Sequence, residues 1–121
     1  MQRKEYHNRM TARGRERWEV ARLIELATGL PVERVPLSEI DEFEQVYWFD
    51  AEYRPTCRAV VDHVRRIEAA DLEAPILLSA EGLVMDGMHR VAKAHLLGEP
   101  TILARRFTVD PPPDRVEPLQ A

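Results

Sequence analysis

Five consecutive residues, Asp86-Gly87-Met88-His89-Arg90, have the types and the order needed to bind and orient a phosphate group. The surrounding pattern predicts a short strand over residues 83–85, a tight Asp86-Gly87 turn and a helix that begins at Met88. The first turn of a helix presents unpaired N–H groups and the positive end of the helix dipole, and both favour an anion. Gly87 lets the backbone approach a ligand closely because it has no Cβ. We therefore take this turn as the main candidate site.

Side chains around the turn could add charge and catalytic groups. His89 and Arg90 supply donors, and Arg90 can contact a phosphate through two N–H groups at once. Lys93 lies one turn beyond Arg90 and could extend the same positive rim. Asp86 could bind Mg²⁺ or accept a proton from an attacking hydroxyl. A structural interpretation fits the same spacing, with Asp86 capping the helix and pairing with Arg90 at i,i+4, so both interpretations stay open.

Three helices and several short strands are expected to position this turn. The pattern predicts helices over residues 11–28, 57–70 and 88–97, and strands over residues 34–37, 75–79, 83–85 and 101–107. Thr11 and Thr56 are the expected N-caps of the first two helices. The second helix has an apolar stripe of Val60, Val61, Val64 and Ile67. Residues 46–55 are rich in aromatic side chains and have no clear period, which predicts an irregular segment packed on the core.

The element order indicates a single small α+β domain with a small mixed sheet, packed helices and an N-terminal helix. We divide the chain into an N-terminal helical segment (residues 1–32), the domain itself (residues 33–110) and a proline-rich tail (residues 111–121). The tail is expected to be exposed or extended because three consecutive prolines end regular structure.

Composition excludes several classes of protein. A chain of 121 residues with 45% hydrophobic residues can bury a core without disulfides. No apolar run is long enough to cross a bilayer and no apolar segment follows the N-terminus, so we expect a cytoplasmic protein without a membrane partner. Cys57 is the single cysteine, which excludes an internal disulfide. No Cys/His set has the spacing of a zinc site, and no Ser-His-Asp arrangement can be argued.

Charge is unevenly distributed along the chain. The net charge of −4 gives no overall attraction to nucleic acid, yet residues 1–30 carry seven Arg or Lys residues and four acids. Two interpretations stay open for this basic segment: an arm that binds DNA or a protein partner, or a solvated surface. His63, His95 and the aromatic group Tyr47-Trp48-Phe49 are interpreted as packed residues rather than as ligand contacts.

The stretch from Pro75 to Phe107 resembles the ParB/sulfiredoxin-like superfamily. Its members share a strand–turn–helix with a Gly-x-His-Arg or Asp-Gly-x-His-Arg core, which stands here within the run from Val84 to Ala94 and is followed by Gly98 and the last predicted strand. Upstream, Val35-Pro36-Leu37 and Arg54-Pro55-Thr56 are also similar. The resemblance covers roughly residues 33–110 and implies the ParB/sulfiredoxin-like fold.

The resemblance implies a nucleotide as ligand, because relatives bind ATP, CTP or ADP at this turn. Carried over, Gly87, Met88, His89 and Arg90 would hold phosphates beside Lys93, and Arg54 and Thr56 would add further contacts. Asp86 and His89 would be the catalytic residues of a small phosphotransferase or nucleotide hydrolase, with Mg²⁺ at Asp86. These expectations come from the resemblance and not from the spacing alone.

Two departures from the family narrow the expected activity. Met88 stands where sulfiredoxin has its reactive cysteine, and a thioether cannot act as the thiolate nucleophile, so we do not expect sulfiredoxin activity. The helix-turn-helix and dimerisation domains that follow this fold in partition proteins are not seen in this sequence. The alternative to an enzyme is a non-catalytic DNA- or protein-binding module related to chromosome-partitioning proteins.

Overall fold

The computed structural model describes residues 4–119, which form two small sheets and three helices. The strands are β1 (Tyr6–Thr11), β2 (Gly14–Glu19), β3 (Glu33–Pro36), β4 (Ile76–Leu78), β5 (Val84–Asp86), β6 (Thr101–Arg106) and β7 (Arg115–Glu117). The helices are α1 (Val20–Ala27), α2 (Cys57–Ala69) and α3 (Met88–Leu96). Two short 3₁₀ segments, Leu37–Glu39 and Asp41–Glu44, follow β3. The predicted α+β class is confirmed.

The larger sheet positions the candidate turn. Its strand order is β3-β6-β4-β5, with β4 parallel to β6 and the other pairs antiparallel, so it is the small mixed sheet that the sequence predicts. The hairpin of β4 and β5 leads directly into α3, and α3 then crosses to β6. β3 lies at the edge of the sheet, where Pro36 is tolerated because the edge needs fewer N–H donors.

The predicted helix over residues 11–28 is wrong in its first half. Residues 6–19 form a hairpin of β1 and β2, and α1 occupies only Val20–Ala27. Thr11 therefore caps no helix; it pairs with Gly14 at the closed end of the hairpin. The hairpin is stabilised by β7, which pairs with β2 from the other end of the chain. A local pattern cannot show that contact, and Trp18 fits a helical period and a strand period equally well.

The C-terminal segment is fixed on this hairpin rather than left as an exposed tail. β7 completes the order β1-β2-β7, and Trp18 donates from Nε1 to the carbonyl oxygen of Pro111 at 2.8 Å. Arg17 pairs with Glu117 at 3.0 Å and Arg22 pairs with Asp114 at 2.9 Å. Part of the basic charge near the N-terminus is thus neutralised by acids of the C-terminal segment.

The apolar stripe predicted on α2 faces away from the core. Val60, Val61 and Val64 are 44–47% exposed, whereas Ala59 and His63 are buried. Ala59 is small enough to allow close packing, and His63 is buried because aromatic side chains of residues 46–55 cover it. A polar side chain can thus be buried in place of a row of valines when it finds partners inside the protein. Within residues 4–119, no helix combines the length and the apolar character needed to span a bilayer.

Candidate functional site

The predicted strand–turn–helix is present, with Gly87 at its centre. Gly87 has a φ of +116° and is the N-cap of α3, and no side chain among the described residues caps this helix end. The amides of Arg90 and Val91 both donate to the Gly87 carbonyl oxygen, each at 3.0 Å. The side chain of Met88 is buried in the core, so this residue can offer a ligand only its backbone.

Arg90 holds the turn against the strand that precedes it. Its Nη1 donates to the carbonyl oxygens of Ala74 at 2.8 Å and Pro75 at 2.6 Å, and its Nη2 donates to Oδ2 of Asp86 at 2.9 Å. The side chains of Arg90 and Asp86 are only 16% and 19% exposed. The i,i+4 ion pair that the spacing allows is therefore formed, and most of the guanidinium's donors are engaged within the protein.

Lys93 contacts the C-terminal end of α2 and not the turn. Its Nζ donates to the carbonyl oxygens of Glu68 at 2.9 Å and Ala70 at 2.7 Å, at the C-terminal end of that helix. A cation at this end satisfies unpaired carbonyls and complements the helix dipole. The ammonium group that we expected to extend the positive rim is thus directed at backbone carbonyls.

Two histidines share a short hydrogen bond next to the turn. His63 Nδ1 and His89 Nε2 are 2.7 Å apart, and the two ring planes differ by 11°. Tyr53 Oη lies 3.0 Å from the other ring nitrogen of His63, Nε2. Trp48 stacks on both imidazoles with centroid distances of 4.5 and 4.6 Å. Sequence reasoning missed this pair because the histidines are 26 positions apart; the only signal was the aromatic density of residues 46–55.

Both members of this histidine pair are neutral at pH 7. Burial is the main reason that the pKa of His89 falls to about 4, and the positive charge of Arg66 lowers it further, followed by His63 and Arg90. Burial and then Arg66 also lower the pKa of His63. In the protein without a ligand, His89 is therefore a neutral imidazole at pH 7.

An open cleft of about 240 Å³ lies beside the turn. Its lining comes from the turn and α3, from the end of α2 with the segment that follows, and from the chain before β1: Asp86, Gly87, His89, Arg90, Arg66, Ala70, Asp71, Ala74 and Glu5. Arg66 pairs with Glu5 at 3.2 Å, and both side chains are more than half exposed. The end of α2, which carries Arg66, and the uncapped N-terminus of α3 thus line the same cleft.

Two residues that the resemblance suggested as contacts lie elsewhere in the described structure. Thr56 accepts a hydrogen bond from the Ala59 amide at 3.1 Å and is the N-cap of α2, as predicted. Arg54 is exposed, and neither residue lines the cleft. The structure therefore brings together Asp86, Gly87, His89 and Arg90, but not Arg54 or Thr56.

A metal ion would need ligands from outside the protein. Glu5, Asp71 and Asp86 line the cleft, yet within residues 4–119 no three His, Cys, Asp or Glu side chains lie close enough to bind a metal by themselves. Mg²⁺ often binds through one or two carboxylates plus substrate phosphates and water. Among the described residues, the cleft therefore does not form a complete metal site by itself.

Buried neutral histidines predict that acid lowers stability. Burial, followed by the charge of Arg9, lowers the pKa of His7 from 6.5 to about 4, so between those values the unfolded chain binds a proton that the folded chain does not. The contribution of His7 is therefore complete above pH 6.5 and is lost as the pH falls toward 4. We expect His7→Phe to be more stable than the parent below pH 6.5, by up to about 1.4 kcal/mol for each pH unit, as measured by urea unfolding.

His7→Phe is a suitable variant because Nε2 of His7 is buried with no hydrogen-bond partner among the described residues, so little is lost on replacement. If the difference in unfolding free energy between the two proteins stays constant from pH 7 to pH 4.5, His7 is not the source of acid sensitivity.

Comparison with protein-family models, with curated proteins and with solved structures gives no match for this chain.

Proposed function

We propose that this protein binds the phosphate groups of a nucleotide in the cleft beside Gly87. The observation that carries the proposal is the uncapped N-terminus of α3, which begins on a positive-φ glycine and opens into a cleft lined by Arg66. Unpaired amides at a helix N-terminus bind anions through both hydrogen bonds and the helix dipole. The resemblance of residues 33–110 to a nucleotide-binding superfamily supports the same ligand.

Arg66 is the cation best placed to contact the ligand. Its ion pair with Glu5 is exposed on both sides, and such pairs contribute little free energy, so a phosphate can replace the carboxylate. Arg90 has a different role: it keeps the turn in shape while its contacts to the two carbonyls and to Asp86 persist. In this proposal, Arg66 and the first amides of α3 contact the phosphate, and Arg90 stabilises the turn that presents those amides.

The charges of the cleft favour a nucleotide that carries Mg²⁺. Three carboxylates, those of Glu5, Asp71 and Asp86, face two guanidinium groups. With one carboxylate in excess, the cleft favours a Mg²⁺-bound di- or triphosphate over a free phosphate, because the metal brings its own positive charge. Asp86 is the residue that would hold the metal, and its Oδ2 also accepts a hydrogen bond from Arg90.

Phosphoryl transfer is the activity that the resemblance implies, as a small phosphotransferase or nucleotide hydrolase. Catalysis in such a site consists mainly of positioning the phosphates and stabilising their charge. Asp86 would contribute through the metal and His89 as a neutral hydrogen-bonding group. The proposal of nucleotide binding is supported by the geometry of the cleft. The proposal of phosphoryl transfer depends on the resemblance as well.

A thermal-shift panel with ATP, ADP, CTP and GTP, each with and without Mg²⁺, tests the proposal. A ligand that binds only the folded state raises the melting temperature by mass action. We expect at least one nucleotide to do so in the presence of Mg²⁺, and we expect Arg66→Ala to weaken its binding about 10- to 100-fold, since one charge-assisted hydrogen bond is lost.

Arg65→Ala is the matched control for Arg66→Ala. Arg65 is the preceding residue of α2, pairs with Asp62 at 3.5 Å, and is not among the residues that line the cleft. Its loss should leave nucleotide binding unchanged. Equal weakening by the two substitutions, or no thermal shift with any of the four nucleotides, would reject nucleotide binding in this cleft.

The alternative of a DNA-binding module has less support. The basic segment that suggested it forms the hairpin of β1 and β2 with the start of α1, where Arg17 and Arg22 are paired with Glu117 and Asp114.

A further inference from the structure

The hydrogen bond between His63 and His89 contains a single proton, and this links the states of the two rings. The bond joins Nδ1 of His63 to Nε2 of His89 at 2.7 Å in nearly coplanar rings. A neutral imidazole carries its proton on one nitrogen and accepts at the other. If His63 donates from Nδ1, then Nε2 of His89 must accept, and the proton of His89 lies on Nδ1. If His89 donates instead, both rings carry their protons on Nε2. The two rings must therefore be the same tautomer.

Tyr53 extends this linkage to the protein surface. Its hydroxyl lies 3.0 Å from Nε2 of His63, and the residue is 45% exposed. When both rings are protonated at Nδ1, Nε2 of His63 is a bare acceptor and the Tyr53 hydroxyl donates to it. When both are protonated at Nε2, the hydroxyl oxygen accepts. Trp48 covers both rings from one side, so they cannot turn independently without losing its stacking.

At the other end of this series of hydrogen bonds, Nδ1 is the ring nitrogen of His89 that takes no part in the bond to His63. His89 lines the cleft and is the second residue of α3, next to the uncapped helix end. A phosphate oxygen is only an acceptor, so it pairs with an N–H at this position and is repelled by a lone pair. An anionic ligand thus selects the state in which both rings carry their protons on Nδ1.

We propose that Tyr53, His63 and His89 act as one neutral donor chain that presents the Nδ1–H of His89 to a phosphate oxygen, with His63 as the positioning residue that fixes its tautomer. In the bound state Tyr53 donates to His63, His63 donates to His89, and His89 donates to the ligand. Each bond in such a chain polarises the next and strengthens it. The hydrogen bond from His89 to the ligand rests on the proposed function. The linkage between the tautomers of the two rings does not depend on it.

Nitrogen-15 NMR of the histidine side chains tests the linkage directly, because protonated and bare ring nitrogens have well-separated shifts. In the protein without added ligand, we expect His63 and His89 to show the same tautomer. Addition of inorganic tripolyphosphate with Mg²⁺ should bring both rings to the Nδ1–H form. His63→Leu should change the ring-nitrogen shifts of His89, whereas His63→Asn, which keeps an amide group that can pair with Nε2 of His89, should restore them toward the parent values.

Two controls separate positioning from general damage to the fold. The ring of His95 stacks on Phe43 at a centroid distance of 3.8 Å, away from the pair, and its ring-nitrogen shifts should be the same in every variant that remains folded. Tyr53→Phe keeps the aromatic ring but removes the hydroxyl, and we expect it to weaken tripolyphosphate binding about two- to tenfold.

The outcomes are distinguishable from those of the nucleotide panel. Different tautomers in the two rings, or His89 shifts that do not respond to His63→Leu, would overturn the linkage. Linked rings that stay protonated on Nε2 with tripolyphosphate bound would overturn the donor role. Linked rings in a protein that binds neither tripolyphosphate nor any nucleotide would support the linkage and reject the proposed function.

Discussion

Replacing Gly87 by alanine is expected to lower the free energy of unfolding by about 2–6 kcal/mol, a large part of the stability of a small domain. Two costs add at this position. The φ of +116° is one that a residue with a Cβ rarely adopts, and an added Cβ would lie 2.5 Å from Cγ2 of Ile76, which is fully buried. The change can be measured by urea unfolding monitored through tryptophan fluorescence.

Two other glycines provide matched controls for Gly87→Ala. Gly98 has a φ of +73° but no atom within 4 Å of an added Cβ, so Gly98→Ala should show the backbone cost alone. Gly29 has neither a positive φ nor a close neighbour, so Gly29→Ala should change stability little. If the three substitutions have equal effects, the turn is not held as tightly as its packing on Ile76 indicates.

Arg90→Leu is expected to lower the free energy of unfolding by about 2–4 kcal/mol. The substitution removes three hydrogen bonds at once and leaves the partly buried carboxylate of Asp86 without its cation. Arg90→Lys should recover only part of this loss, because an ammonium group cannot reproduce the fork of a guanidinium. Unfolding in urea measures both variants.

Arg65→Leu is the control for the Arg90 substitutions. Arg65 is 75% exposed and pairs with Asp62 at i,i+3, so its replacement should be nearly neutral. Equal stability of Arg65→Leu and Arg90→Leu would contradict the structural role of Arg90. The same result would also mean that the guanidinium of Arg90 is available to bind a ligand.

Local signals were sufficient to place the helices and strands between Thr56 and Arg106. Thr56 caps α2, the short hairpin precedes the Gly87 turn, and α3 ends before Gly98 as its pattern predicts. Each of these features depends on residues within a few positions of one another. The turn itself was therefore predictable, including the ion pair of Asp86 with Arg90.

Features that depend on distant residues could not be predicted in the same way. The hairpin of β1 and β2 is completed by β7, about a hundred positions later, and Trp18 finds its acceptor at Pro111. The periodicity of α2 favoured its valines as core, but tertiary contacts bury His63 instead. Likewise, nothing in the spacing showed that Lys93 would cap α2.

Phosphate binding at the N-terminus of α3 is tested most directly by titrating nitrogen-15-labelled protein with the Mg²⁺-bound nucleotide that gives the largest thermal shift, or with Mg²⁺-tripolyphosphate if none does. We expect the largest changes in amide shift at Gly87, Met88 and His89, with a smaller response at Arg66, which also lines the cleft. The β1–β2 hairpin should respond least. Changes centred on that hairpin, or no change at the three turn amides at a saturating concentration, would contradict the assignment of this turn as a phosphate site.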